Sequence, residues 1–420
     1  MIRSCSNALI SSSIASLQRV TGRTPENRIS ILKSGIQMAK RISAQTTLQE
    51  VPRCRLFKDE FTPLVRLLPV QSRIAMKYVS TRGCEEYTFE EAVLLGWARD
   101  GGMLLPKTLP LMSKSELNTM KGKTYQEVAC IVLRRFIDQD TIDDVSLKNI
   151  LAEAFQSFGD PSTVTKTALF DGLSVVELWH GPTLAFKDLG MQVLAKIMDF
   201  FLRRRGEKRI ILVGTSGDTG SSACEAIAGM ESMQLVVLYP GGGRISAVQE
   251  LQMTRCKALD APEKYSNIHV VAVEGNSDDL DVAIEANLKD ISKQSTYGLA
   301  SVNSVNIVRV LMQTVSFFYV CTNSSTTCST SSEKEGVCDP SEVEEEEEEE
   351  LPTLSSFFIP TGAAGHLVAA AIAHGMGLSL RAYAATNAND CIQGFLRTGV
   401  FAQAQMVVQT AAPAMDIQVP

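Results

Sequence analysis

Residues 209–230 read RIILVGTSGDTGSSACEAIAGM. A short β-branched run, 209–213, meets a loop of glycines and hydroxyls, GTSGDTG (214–220), and then a stretch of helical composition. The rhythm recurs. QLVVLYP (234–240) runs into GGG, and IHVVAVEG (268–275) is a further strand. SFFIP (356–360) leads to TGAAG (361–365) and HLVAAAIAHGMG (366–377), and LRAYAAT (380–386) follows. Short apolar strands that alternate with helices predict an α/β fold, with a parallel sheet covered on both faces. In such sheets ligands bind at loops after the carboxyl ends of the strands.

Upstream of this rhythm, residues 76–170 predict a smaller, mostly helical subdomain. TFEEAVLLGWA (88–98) has helical apolar spacing, with Thr88 placed as N-cap and Glu91 three residues on. ARDGGMLLP (98–106) supplies a turn and an extended segment, and TYQEVACIVLRRFI (124–137) a second amphipathic helix. Residues 1–75 carry twelve Lys and Arg against four acids. Their Ser-rich, Arg-bearing start has the composition of a mitochondrial transit peptide, and equally of a disordered extension. Residues 321–356 carry eleven acids and one Lys and end in seven consecutive glutamates, 344–350. Such a segment buries too little apolar surface to order itself, and reads as an insertion that splits the core into 171–320 and 357–420.

The whole chain has 420 residues, net charge -7, 45% hydrophobic and 21% charged residues. These values suit a globular enzyme of two or three domains. No apolar run reaches the roughly 18 residues of a membrane span. No basic face points to nucleic acid. Ten cysteines without a CxxC pair, and four histidines without zinc spacing, predict reduced thiols inside a cell and no metal site. The expected location is mitochondrial or cytoplasmic.

HGPTLAFKDLG (180–190) is mostly apolar yet holds Lys187 between Phe186 and Asp188. Burial disfavours an ammonium, lowers its pKa and frees a nucleophilic amine. A snorkelling lysine is the plainer explanation of the same pattern. The loops 214–220 and 360–366 each place glycines at a helix N-terminus, where unpaired N–H groups and the helix dipole attract an anion. Glycine turns are commonplace, so neither loop alone decides anything. Neither is GxGxxG, and no GxxxxGK occurs, so dinucleotide and P-loop chemistry have no motif here. One cofactor would use a reactive lysine, an anion loop and apolar walls together, namely pyridoxal 5'-phosphate.

HGPTLAFKDLG resembles the lysine segment of threonine synthases, which are fold-type-II pyridoxal-phosphate enzymes. YVSTRG (78–83), DGGMLLP (100–106), TSGDTG (215–220), QELQMT (249–254), NSVN (303–306) and PTGAAG (360–365) match in the same order. The PTGAAG form is similar to that of the vertebrate threonine synthase-like 2 proteins, which act as phospho-lyases. The resemblance covers 76–420 apart from the insertion. It implies a tryptophan synthase β-like architecture, and often a homodimer.

Carried over by position, the resemblance makes Lys187 the Schiff-base lysine and the base that moves the Cα proton. Gly362, Ala363, Ala364 and Gly365 would hold the cofactor phosphate. Ser216, Gly217, Asp218 and Thr219 would hold the substrate carboxylate and the cofactor's side, with Phe186 as a wall. Arg82, Asn303, Asn306 and Arg309 are the candidates for a small phosphorylated amino-acid substrate. Three outcomes stay open at this point. A lyase would convert O-phosphothreonine and O-phosphohomoserine to 2-oxobutanoate, ammonia and phosphate. A synthase would add water at Cβ and release threonine. An inactive protein would keep only an interaction or signalling role. Relatives continue beyond MDIQVP (415–420), so the resemblance reads the chain as C-terminally truncated. His366 after Gly365, GNSDD (275–279) and NSVNIVR (303–309) depart from the family pattern.

Overall fold

The computed structural model describes residues 75–420 except 171–172, 216, 244, 255–262, 275–276, 324–354, 401–406, 409, 411, 413–414 and 417–420. The expected N-terminal extension, save Ala75, lies outside the described residues. So does the expected acidic insertion, except for its two ends.

The chain first builds a small antiparallel sheet. β1 (Tyr78–Ser80) lies between β2 (Glu86–Tyr87) and β3 (Leu104–Pro106). Between them runs α1 (Phe89–Leu95). Thr88 accepts from the Glu91 N–H, and Glu91 reaches back to Thr88, so the expected capping box is formed. α2 (Lys114–Asn118) and α3 (Tyr125–Leu133) repeat that device with Ser113–Glu116 and Thr124–Glu127, and α4 (Asp144–Phe155) is capped by Asp143. One residue set thus starts four helices, because a hydroxyl or carboxylate satisfies amides that have no helical partner. The three-stranded sheet was not legible as strands, since its members are only two or three residues long.

β4 (Lys166–Phe170) and β5 (Leu173–Glu177) form an antiparallel hairpin. After it comes α5 (Asp188–Arg205). From Asp188 to Ala195 every residue of this helix is buried, and the stripe continues through Ile197, Met198 and Phe201. A helix apolar on almost all sides belongs inside a core. Its basic end, Arg203–Arg205, complements the dipole, and Gly206 closes it in the left-handed conformation.

The main sheet is parallel. β6 (Arg209–Gly214) is followed by α6 (Asp218–Ile227) and then β7 (Met233–Pro240). α7 (Ala247–Thr254), β8 (Ile268–Val273), α8 (Ser277–Lys289) and α9 (Ile291–Tyr297) lead to β9 (Leu299–Ala300). The strand order is β8-β7-β6-β9, all parallel, with Leu212 opposite Val236 and Val237 opposite Val270. α10 (Ile307–Asn323) is buried on nearly every side, as α5 is. β10 (Ser355–Pro360) pairs in parallel with β11 (Leu380–Ala385) across α11 (Gly365–Gly375), and α12 (Cys391–Thr398) follows. α10 therefore runs three residues past 320, and β10 starts at 355. The interval between the two elements is 324–354.

α5 and α10 touch at a glycine. A Cβ on Gly190 would stand 3.0 Å from the Arg309 Cα, so only a residue without a side chain permits this approach. The contact brings the helix that begins beside Lys187 against the helix that carries Arg309. Among the described residues no helix is long and apolar enough to cross a membrane.

Candidate active site

Lys187 occupies the N-cap position of α5, at the end of the loop that follows β5. Its side chain is 15% exposed, and Nζ donates to Asp218 Oδ2 at 3.1 Å. Burial lowers its pKa, and the attraction of Asp218 opposes that shift. The positive charge of Arg309 pushes in the same direction as burial. Nζ also lies 5.4 Å from the ring centroid of Phe186.

The lysine loop is organised by a residue the sequence reading quoted without assigning. Asp188 is fully buried. Its carboxylate accepts from the Thr183 N–H at 2.8 Å and from Thr183 Oγ1 at 2.7 Å. These bonds fold the 183–188 segment onto the start of α5. Leu184, between them, has φ 58° and is 71% exposed. A bulky residue held left-handed stores strain, and such strain concentrates at sites of function.

The second loop comes from the carboxyl end of β6. Thr215 Oγ1 accepts from the N–H groups of Gly217 and Gly220, both at 2.9 Å, and so coils the segment into the first turn of α6. Gly217 has φ 138°, and a Cβ there would stand 2.4 Å from Gln249 Cδ. Glycine is required at this position on both counts. Asp218 opens α6, and its two oxygens divide their work. Oδ2 faces Lys187, and Oδ1 accepts from Gln249 Nε2 at 2.5 Å. Thr219 follows in the same first turn, and Ser216 lies outside the described residues.

The third loop, 360–365, follows β10. Gly362, Ala363, Ala364 and Gly365 enter α11, whose N-cap residue, Ala364, has φ 58° and makes no side-chain cap bond. An uncapped helix start lined by small residues offers its N–H groups to an anion. Three non-glycine residues have positive φ among those described: Val164, Leu184 and Ala364. The latter two belong to the lysine loop and this loop.

Behind the third loop stands one face of α10. Arg309, Gln313 and Phe317 are spaced by four residues and share a side of the helix. Arg309 acts electrostatically on Lys187. Gln313 Oε1 would be 3.9 Å from a Cβ on Gly365. Phe317 stacks on His366 with centroids 4.7 Å apart and 30° between planes. His366 also meets Phe186 at 6.4 Å. The stripe thus connects the lysine loop to the third loop.

The expected substrate contacts divide. Asn303 accepts from the Val305 N–H, while its Nδ2 is buried with no hydrogen-bond partner among the described residues. Arg309 is 3% exposed and donates to the Val302 carbonyl at 3.0 Å. Burial lowers its pKa to about 10, which leaves it charged at neutral pH. Its influence on the site is that of a charge behind the wall. Asn306 is fully buried, with Nδ2 donating to the Val93 carbonyl at 2.9 Å and Oδ1 accepting from the Val308 N–H at 3.2 Å. Both its ends are engaged by main chain, so it ties α10 to α1. Asn306→Ala is expected to cost about 1–3 kcal/mol, the penalty of a buried carbonyl left without a partner. Urea unfolding measures that loss. Arg82 is exposed on the turn after β1, and its Nη1 would be 3.2 Å from a Cβ on Gly101. Its contacts there are with the 100–102 turn, not with the lysine cluster.

Asp188, Gln249, Gln313, Phe317 and His366 line the candidate site, and the sequence alone assigned them no role. Gln249 was visible only within QELQMT, and His366 only as a departure from the family pattern. The four-residue spacing from Arg309 to Phe317 was the signal for the stripe.

Comparison with known proteins gives the chain a family. The family described as threonine synthase N terminus matches residues 77–155. Threonine synthase-like 2 of Homo sapiens is 37% identical over 346 residues, covering 82% of this chain and 66% of that protein. Threonine synthase of Schizosaccharomyces pombe is 33% identical over 364 residues, covering 82% and 65%. Among solved structures, the PLP-bound threonine synthase of Brucella melitensis superposes with a TM-score of 0.69 at 34% identity, covering 82% of this chain and 68% of that one. The chain spans about two thirds of the length of the curated relatives it matches. By sequence and by fold, this chain belongs to the threonine synthase family.

Proposed function

We propose that this chain is a pyridoxal-phosphate-dependent lyase that eliminates phosphate from O-phosphothreonine and O-phosphohomoserine. Membership of the threonine synthase family supports the cofactor and the lyase class. The higher identity to the threonine synthase-like 2 proteins, 37% against 33% for the synthases, favours the lyase reading. The observation that carries it is the buried amine of Lys187, paired with Asp218 and flanked by two loops suited to anions.

The residues present fit the cofactor. The 362–365 loop is an uncapped helix start for its phosphate, Lys187 is the amine for its aldehyde, and Phe186 is an apolar wall. When bound, pyridoxal phosphate supplies an electron sink that acidifies the substrate Cα–H.

This chain's residues do the rest. Asp218 holds Lys187 Nζ in place and modulates its charge. Once freed by the incoming substrate amine, Lys187 takes the Cα proton as general base. The first turn of α6, at Asp218 and Thr219, receives the substrate carboxylate through its N–H groups. Asn303 Nδ2 is a donor for the substrate phosphate. Loss of phosphate and hydrolysis of the released enamine consume one water, giving 2-oxobutanoate and ammonia. The test is to supply O-phospho-L-threonine to protein reconstituted with pyridoxal phosphate. Phosphate and 2-oxobutanoate in equal amounts are expected. Threonine formed from O-phosphohomoserine would establish the synthase instead.

The two charges flanking Lys187 make opposite predictions. Covalent uptake of the cofactor needs the neutral amine. Asp218 favours the ammonium, so Asp218→Asn is expected to move the pH profile of uptake to lower pH. Arg309 disfavours the ammonium, so Arg309→Met is expected to move it to higher pH. Stopped-flow absorbance across a pH series reads both midpoints. Shifts in the same direction would refute the electrostatic account.

A further inference from the structure

His366 is the second residue of α11, directly after the 362–365 loop. Its Nδ1 is buried and has no hydrogen-bond partner among the described residues. A buried polar atom of this kind calls for a specific explanation. Aromatic rings meet the imidazole from two elements. Phe317 stacks against it at 4.7 Å, and Phe186, the neighbour of Lys187, meets it at 6.4 Å. Helical side chains lean toward the N-terminus of their helix, so a ring in the first turn leans toward the loop. Burial pushes the imidazole down to about 4, so at neutral pH it is uncharged and carries one N–H. A neutral imidazole places that N–H on the nitrogen that faces an acceptor.

Three observations therefore converge on one point. The helix start is uncapped, a buried ring nitrogen beside it lacks a partner, and a stacked phenylalanine fixes the ring plane. The chemistry that satisfies all three is a phosphate monoester dianion at the 362–365 loop. We propose that His366 completes this cradle by donating from Nδ1 to the phosphate of the bound cofactor, with Phe317 as a positioning residue that sets the ring plane. The proposal rests on the pyridoxal-phosphate reading above, and adds a side-chain donor to a site otherwise made of main-chain N–H groups.

The test compares pyridoxal 5'-phosphate with pyridoxal, which lacks the phosphate. Equilibrium dialysis of the full chain gives both affinities for the wild type, His366→Leu and His366→Asn, with thermal melts to establish that each variant folds. The amide nitrogen of asparagine stands close to where Nδ1 stood. His366→Leu is expected to weaken pyridoxal phosphate about ten- to a hundredfold, the usual worth of a hydrogen bond to a charged group. Its affinity for pyridoxal is expected to stay unchanged, and His366→Asn to recover most of the loss.

An equal loss for both ligands would make His366 a wall and overturn the proposal. So would failure of asparagine to rescue. A defect confined to the KM for O-phosphothreonine, with cofactor affinity intact, would assign the contact to the substrate and overturn it too. Wild-type protein that binds no pyridoxal phosphate would remove the cofactor reading and this inference together, whereas wild-type binding with an unchanged ligand ratio in His366→Leu removes this inference alone.

Discussion

Lys187→Ala is expected to leave a folded protein that no longer takes up pyridoxal phosphate covalently, with phosphate release from O-phosphothreonine reduced at least about a thousandfold. The size follows from what one amine does twice. It is the nucleophile that anchors the cofactor, and then the base at Cα, a role worth about 10²–10⁴ by itself. Folding should survive because the side chain does not hold the core together. Its polar contact is with Asp218, whose other oxygen keeps Gln249. Truncation also removes a partly desolvated charge, which offsets some of the lost packing. Absorbance of the lysine-linked cofactor, borohydride trapping and a phosphate assay check the result. Lys187→Arg should fail equally, because a guanidinium cannot supply a neutral amine near pH 7. An added small amine that restores part of the turnover in Lys187→Ala would identify the missing function as the amine. Retained covalent uptake in Lys187→Ala would end the assignment.

The strands β6, β7, β8, β10 and β11 were legible because each is a β-branched or apolar run punctuated by glycine, proline or a polar loop, and that information is local. The capping box at Thr88–Glu91 was legible for the same reason. Lys187 stood out as a charge in an apolar context, and the structure buries it beside Asp218 as that context implied. Asp188 did not stand out. An aspartate at the start of a helix reads as an ordinary dipole partner, and only the fold shows that it reaches back five residues to Thr183. Arg309 and Asn306 were read as ligand contacts because they sit at or beside NSVN. Burial gives them main-chain partners instead, Val302 for one and Val93 and Val308 for the other. A motif places a residue near a site, but tertiary packing decides which way its polar atoms face. The Phe317–His366 stack is the extreme case, because its members lie 49 positions apart and on different helices.

Asp188→Ala is expected to be the most destabilising single change near the site, costing about 3–5 kcal/mol in urea unfolding. The carboxylate receives two bonds from Thr183 in a fully buried setting, and hydrogen bonds to a charged group are worth about 1.5–3 kcal/mol each. Removing it leaves the Thr183 N–H buried without an acceptor and opens space beside Gly181, where a Cβ would stand 2.5 Å from the Asp188 Oδ2. The same change should loosen cofactor retention, because Lys187 is the adjacent residue and the 183–188 segment sets its position. Asp188→Asn keeps the shape and one acceptor for the Thr183 N–H, so its cost should be smaller. Burial raises the pKa of Asp188. As pH falls, protonation leaves an acid that accepts more weakly, so the asparagine variant mimics the low-pH form. Thr183→Val removes only the hydroxyl partner. If the two side chains act as one unit, the double variant Asp188→Ala with Thr183→Val loses less than the sum of the single losses. Strict additivity would mean that Asp188 stabilises α5 through its dipole alone, and that the loop holding Lys187 is set by something other than this bond.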